Sequence, residues 1–503
     1  MSIAAAFDTH DAIGLAELVR KNEVTPTELL DEAVRRNDLV NPKLNAVVLP
    51  MVDIARANSA RGLPDGPLRG VPFFLKDLAA QYAGVPLQNG STLHKNNVPK
   101  EHSEIVKRYE RAGLVVFGKT NTSEWGILPT CETRAYGPCH NPWKLGTTTG
   151  GSSGGSAAVV GARVVPVAHG GDAGGSIRIP ASCCGVFGLK PTRGRNPFGP
   201  DTSERAHGLG AEHVISVSVR DSAALLDASA GPESVAIYWA PPQTGPYLDE
   251  VTREPKKLRI AYTWKPVLPA EEDETQRRAI EDAVALLREL GHQVDEVRPP
   301  IDGDATGKNF FTLYCASAAG EFELQAQRLG RELTLDDVEV PTMMMGLIGR
   351  KILSAGDFSA AIRELQGVSR SMARFHETYD LFLTPTLGKA PVAHGELLAK
   401  GVEAKLQRLI AKSSFAAALK MPGVLDKAIK RAFNFAPFTQ IANVTGQPSM
   451  SVPLYFPQGG LPIGVCFTAR FGDEATLFQL AGQLERARPW NDKLPGVCAR
   501  TVK

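Results

Sequence analysis

Two glycine-serine loops constrain this chain more than anything else in it. They are Gly150-Gly-Ser152-Ser153-Gly-Gly-Ser156-Ala-Ala158 and Gly170-Gly-Asp172-Ala-Gly174-Gly175-Ser176, with Ser152 and Ser176 24 residues apart. Glycine lets backbone approach backbone and leaves N–H groups unscreened by side chains. A site that holds developing negative charge needs such N–H groups. A serine closing such a loop can present its hydroxyl where they converge. The stretch between the loops reads as a helix beginning at Ser156-Ala-Ala-Val-Val160 and a strand near Val164 to Ala168. Upstream, Pro72-Phe-Phe-Leu75 and Leu114-Val-Val-Phe117 read as buried strands. Strands alternating with helices predict an α/β fold, a single large α/β/α layered domain with a mixed sheet.

The rest of the chain fits that frame. Residues 1–60 read as an outer helical layer, with Thr25-Pro26-Thr27-Glu28 as a helix start. Residues 65–200 form the core region. A strand (Leu258-Arg-Ile-Ala-Tyr262), a charged helix over 271–290 and Gly291-His-Gln-Val-Asp295 make a β-α-β-like unit. Residues 310–430 look mainly helical, a cap or substrate-pocket region. Residues 433–490 return to strands and a final helix. No internal repeat or low-complexity linker divides the chain, so 1–503 reads as one unit.

Composition removes several function classes. Of 503 residues, 43% are hydrophobic and 22% charged, enough for a sizeable core and too apolar for disorder. Lys plus Arg number 56 against 54 Asp plus Glu, a net charge of +2 that predicts no nucleic-acid surface. No run of about 18 apolar residues predicts a membrane span, and the N-terminus lacks a signal-peptide pattern. The basic segment 397–431 reads as a solvated lid, with surface association as the alternative. The seven cysteines are scattered, without a C-x-x-C pair, which predicts no zinc site and a reducing, cytoplasmic compartment. No cofactor is called for, and a homodimer is compatible with everything above.

Two motifs mislead. Gly113-Leu-Val-Val-Phe-Gly118-Lys119-Thr120 matches the phosphate-loop pattern letter for letter. A phosphate loop needs backbone N–H groups wrapped around an anion; Leu, Val, Val and Phe instead predict a buried strand. Gly151-Ser-Ser-Gly-Gly155 matches G-x-S-x-G around Ser153. The segment before it, Lys144-Leu-Gly-Thr-Thr-Thr149, is polar where an α/β-hydrolase elbow needs a buried strand. A Ser153-centred serine esterase stays open as the rival reading.

A third segment, Gly70-Val-Pro-Phe-Phe-Leu-Lys76-Asp77, ends a very apolar run in a lysine. Together with the two loops, and with Ser176-Ile-Arg178-Ile-Pro-Ala-Ser-Cys-Cys-Gly185 behind the second, it resembles the amidase signature family of serine hydrolases. The likeness resumes at Asp380-Leu-Phe-Leu-Thr-Pro-Thr386 and Phe438-Thr-Gln-Ile-Ala-Asn443-Val-Thr-Gly446. His169-Gly170-Gly171-Asp172 departs from the family's common Gly-Thr-Asp and looks like the branch that includes a 6-aminohexanoate cyclic-dimer hydrolase. The resemblance implies amide hydrolysis by a Ser–cis-Ser–Lys triad, on a small-molecule amide. Carried over by motif, Ser176 is the nucleophile, Ser152 the bridging serine after a cis Gly151–Ser152 peptide, and Lys76 the base. A glutamine-hydrolysing amidotransferase subunit is the alternative within the same family.

Physical chemistry adds requirements. Serine is a weak nucleophile and needs a base. A lysine serves only when neutral, which burial against Phe73, Phe74 and Leu75 would promote. The N–H groups of Ala173, Gly174, Gly175 and Ser176 would hold the oxyanion, with Asp172 and Arg178 pinning the loop as an ion pair. For the pocket, three consecutive methionines on a helix cannot all face one core, since successive residues turn about 100°. Methionine surfaces adapt to varied apolar ligands. Tyr314, Cys315 and Met344 (with part of Met343–Met345) are therefore expected on one wall and Asn121 and Trp125 on the other. That predicts medium-sized apolar, aryl or cyclic amides, with ester or carbamate cleavage as side activity.

Overall fold

The computed structural model describes residues 2–413 and 424–501. One mixed sheet of eleven strands organises it. In chain order the strands are β1 (Val47–Pro50), β2 (Pro72–Lys76) and β3 (Val115–Thr120), then a separate two-stranded hairpin, β4 (Glu132–Thr133) and β5 (Gly137–Pro138). There follow β6 (Val167–Asp172), β7 (Phe187–Lys190), β8 (Ala211–Ser216), β9 (Arg259–Tyr262) and β10 (Gln293–Glu296). The last three are β11 (Leu381–Pro385), β12 (Ser449–Tyr455) and β13 (Ile463–Ala469). Their spatial order is β1-β3-β2-β6-β8-β7-β12-β13-β11-β9-β10.

Every residue of β2, β3, β7, β8, β11 and β13 is buried. Successive strand residues face opposite sides, so continuous burial means both faces of the sheet are covered. The expected layered α/β fold with a mixed sheet is the one observed. β2 lies parallel to β3 and β6 in its centre, while β8, β7, β12 and β13 are joined antiparallel. The helix Pro26–Leu44 starts as anticipated, with a Thr25–Glu28 capping box and proline in its first turn.

Two local expectations shift. The strand expected at 164–168 runs instead over Val167–Asp172, because β8 pairs with it residue for residue through Gly170 and Gly171 into Asp172. The N-terminal layer is not wholly helical, since β1 pairs antiparallel with β3 at the sheet edge. The phosphate-loop look-alike is strand, as its apolar residues demanded: Val115–Thr120 is β3 and Lys119 is fully buried within it.

The helices Gly303–Leu329, Val340–Lys351 and Ala355–Thr378 pack on one another as the cap region. Helices Gly401–Ser413 and Val424–Phe435 occupy most of the basic 397–431 segment. Residues 414–423, in its middle, lie outside the described residues, so its lid reading is carried no further. No helix among the described residues is long and apolar enough to cross a membrane.

Candidate active site

Lys76 ends β2 at the centre of the sheet. Its apolar predecessors leave its side chain nowhere to go but inward, and it is 1% exposed. The ammonium lies 2.7 Å from Ser152 Oγ and 3.3 Å from the Gly171 carbonyl, donating to both. Burial pushes Lys76 down to about 8, against the opposing charge of Glu212. The Gly151–Ser152 peptide is cis, as the family resemblance implied. Ser152 stands just before the helix Gly154–Gly161, and its carbonyl accepts from the Cys131 thiol at 3.3 Å.

The two glycine-serine loops touch. The Ser153 N–H donates to the Ser176 carbonyl at 3.2 Å, and Ser153 Oγ donates to the Gly171 carbonyl at 3.2 Å. Ser153 is fully buried and spends its hydroxyl on tying the loops together. That is the wrong environment for the nucleophile of a G-x-S-x-G elbow, whose hydroxyl must stand exposed. Lys76, Ser152 and Ser176 instead share the wall of one cavity of about 970 Å³.

Asp172 and Arg178 form the expected pair, both side chains without solvent exposure. Arg178 donates to both Asp172 oxygens, at 2.9 and 3.0 Å, and also to the Thr439 carbonyl and Asn443 Oδ1. Burial alone would raise the Asp172 carboxyl; the Arg178 charge and the bonds from Arg178 and Asn443 instead hold it well below the usual carboxylate range. The carboxylate also accepts the N–H groups of Gly175, at 2.8 Å, and Ile177, at 3.2 Å. The nucleophile loop is thus folded around one anion. Replacing Arg178 by methionine strands that anion, and the expected loss of unfolding free energy is about 3–5 kcal/mol. Urea denaturation checks it; a loss below about 1 kcal/mol would mean the pair does not pin the loop.

This arrangement corrects one expectation. The Gly175 N–H is committed to Asp172, so Gly175 is not an oxyanion donor. Its glycine is required for another reason. φ is +127°, and a Cβ would lie 2.3 Å from Thr439 Oγ1.

The pocket residues divide. Trp125 and Tyr314 line the cavity. Tyr314 Oη and the Phe310 ring close over Gly174, each 3.1 Å from where a Cβ there would sit. Trp125 stands edge-on to Phe322, with ring centres 5.5 Å apart. Asn121 does not reach the cavity. It is fully buried and gives its amide to the carbonyls of Asn45 and Gly137. Cys315 is fully buried against the helix Val340–Lys351, and the carbonyl of Cys315 lies against Gly349. Met343 and Met345 belong to that same apolar cluster and the half-buried Met344 packs on it. The helix turns Met344 outward from its neighbours, as the 100° rule required, but toward the cluster's rim and not the cavity.

Sequence reasoning missed four contributors. Thr439 donates to the Gly174 carbonyl at 2.7 Å, and Asn443 donates to Asp172 Oδ1 at 2.8 Å. Both sit more than 260 residues from their partners. His169 and Glu212, 2.7 Å apart on neighbouring strands beside Lys76, also had no local signal. Only the pairing of β6 with β8 brings them together.

The sheet, the two interlocked loops and the buried lysine define an amide hydrolase, and the chain belongs to the Amidase family, whose profile matches residues 28–478. Among individual relatives, it is 38% identical to the 6-aminohexanoate-cyclic-dimer hydrolase of Paenarthrobacter ureafaciens over 96% of each chain. A solved structure of a 6-aminohexanoate cyclic dimer hydrolase complexed with substrate superimposes with a TM-score of 0.87 and 36% identity, covering 99% of this chain and all of that one. A lipoamidase of Enterococcus faecalis is 33% identical over 94% of this chain and 63% of its own. The branch suggested by His169-Gly170-Gly171-Asp172 is therefore represented among its relatives. The protein is an amidase, acting on carbon–nitrogen bonds.

Proposed function

We propose that this amidase works by acyl transfer through Ser176, Ser152 and Lys76. The observation that carries the reading is the 2.7 Å contact of Lys76 Nζ with Ser152 Oγ on the wall of a cavity that also holds Ser176. Ser176 Oγ attacks the amide carbonyl carbon. Its proton passes to Ser152 while Ser152 passes its own to the neutral Lys76 amine. The N–H groups of Ala173, Gly174 and Ser176 hold the resulting oxyanion, each such donor being worth ~2.7–4 kcal/mol in the transition state. The C–N bond then breaks as the relay returns the proton to the leaving amine. Water repeats the sequence on the acyl-enzyme and restores Ser176.

The substrates we propose are medium-sized apolar, aryl or cyclic amides, with esters and carbamates as side substrates of the same tetrahedral chemistry. A cavity of about 970 Å³ walled by Leu78, Leu87, Trp125, Ile127, Tyr314 and Ala318 supports this. Acetamide leaves most of that surface unused, and each buried methylene adds about 0.8 kcal/mol. The names of the relatives, one a cyclic-dimer hydrolase, point the same way. They give no support to the glutamine-delivering alternative. The buried, scattered cysteines support a cytoplasmic placement.

The test is a panel of kcat/KM values for acetamide, glutamine, an anilide and a cyclic diamide. The anilide or cyclic diamide is expected to exceed acetamide by about 100-fold or more, in line with a few methylenes of added contact. Trp125→Ala is expected to narrow that ratio while sparing acetamide. A parent enzyme that prefers acetamide or glutamine overturns the substrate class.

A further inference from the structure

His169 and Glu212 are buried beside the reacting centre, yet no step of the hydrolysis uses them. His169 is fully buried on β6 and Glu212 is 5% exposed on β8. In the antiparallel register Glu212 stands opposite Gly171, the residue whose carbonyl receives the Lys76 ammonium. A Cβ on Gly171 would lie 3.0 Å from both Glu212 carboxylate oxygens, so the missing side chain is what lets that carboxylate lie against the strand. His169 Nε2 is 2.7 Å from Glu212 Oε2. Its other nitrogen, Nδ1, accepts the Lys76 backbone N–H at 3.3 Å. A backbone N–H can only donate, so Nδ1 is unprotonated and Nε2 carries the hydrogen that Glu212 receives. One unbroken chain of hydrogen bonds therefore runs from the Glu212 carboxylate through the imidazole to the main chain of Lys76.

The surroundings isolate that charge. Asp172 also faces Lys76 from β6, but Arg178 neutralises it. The Cys131 thiol approaches from the loop before β4, and burial pushes it up to about 11, which keeps it neutral. Arg205, on the loop between β7 and β8, is the cation that acts on Lys76. Around His169 stand the edge of the Tyr109 ring, 5.9 Å away, and His213, which burial pushes down to about 3 and leaves uncharged.

We propose that Glu212, acting through His169 and across Gly171, is a positioning residue that fixes the end of β2 and sets the pH at which the Lys76 amine becomes available. This rests on Lys76 being the base. The carboxylate favours the protonated lysine, so removing its charge favours the neutral one. Glu212→Gln keeps an acceptor for His169 Nε2–H and removes only the charge. Its acidic limb of kcat/KM is expected to move to lower pH by half a unit or more. Below the limb the rate falls tenfold per pH unit, so the rate at pH 6 relative to the plateau rises about threefold or more. His169→Gln is expected to lower kcat through loss of the main-chain contact while leaving the limb near its parental position. Glu212→Asp, which keeps the charge but withdraws it, is expected to shift the limb in the same direction by less. It serves as the reading if Glu212→Gln does not fold. A limb lost in Lys76→Ala yet unmoved in the Glu212 variants overturns this inference alone. A limb that survives Lys76→Ala overturns the lysine assignment and this inference with it.

Discussion

Ser176→Ala is expected to abolish turnover, with kcat falling on the order of 10⁶-fold, the loss seen when the nucleophile of a serine hydrolase is removed. Labelling by a fluorophosphonate should vanish with it. Ser176 closes the loop that Asp172 holds by the N–H groups of Gly175 and Ile177, and it faces the cavity with Ser152 and Lys76. An alanine there leaves those bonds intact, because they are made by backbone and by Arg178. The fold should therefore be unchanged, and the thermal unfolding of Ser176→Ala should match the parent. The loss is then one of chemistry, not of structure. Ser153→Ala is the contrasting variant. Its hydroxyl links the two loops through the Gly171 carbonyl, so it should lose stability yet still be labelled. A Ser176→Ala protein that is labelled, with labelling lost in Ser153→Ala, would falsify the assignment and restore the esterase elbow.

What could be read along the chain and what could not follow from distance. β2 was legible because Pro72-Phe-Phe-Leu75 is apolar on both faces, which only a covered strand tolerates. The loops were legible because several of their glycines, Gly175 among them, meet backbone or side chains too closely for a Cβ. Asp172 and Arg178 are six residues apart and could be paired by proximity. The pocket failed for the opposite reason. Cys315 and Tyr314 are neighbours, yet the helix turns one into an apolar cluster and the other over Gly174. Periodicity fixes such an angle only relative to the helix, and which side faces the cavity depends on how Gly303–Leu329 docks. Asn121 misled because it follows β3 near the loops, and its burial on the carbonyls of Asn45 and Gly137 depends on a turn more than 70 residues earlier. Gly175 misled because a side chain three residues away took its N–H.

Lys76→Ala is the second large effect, expected to cost 10²- to 10⁴-fold in kcat/KM, the usual range for a positioned general base. Its pH dependence is the sharper test. Burial lowers Lys76 to about 8, so the side chain is an ammonium below that pH and a free amine above it. Only the amine can take a proton from Ser152. The parental kcat/KM should therefore rise with pH and level off above about 8, and the Lys76→Ala profile should be flat through that window. Two other buried lysines carry similar values and form the internal control. Burial pushes Lys119 to about 8 and Lys190 to about 7. Lys119 donates to the Pro86 carbonyl beside Asp77, which also receives the Tyr136 hydroxyl, and Lys190 donates to the Pro191 carbonyl. Neither lines the cavity. Lys119→Met and Lys190→Met should keep the acidic limb even where they cost stability, because a lowered pKa without a path to Ser152 moves no proton. If the limb survives in Lys76→Ala and disappears in one of these two, the base lies on the other side of the sheet's central strands and the relay through Ser152 is wrong.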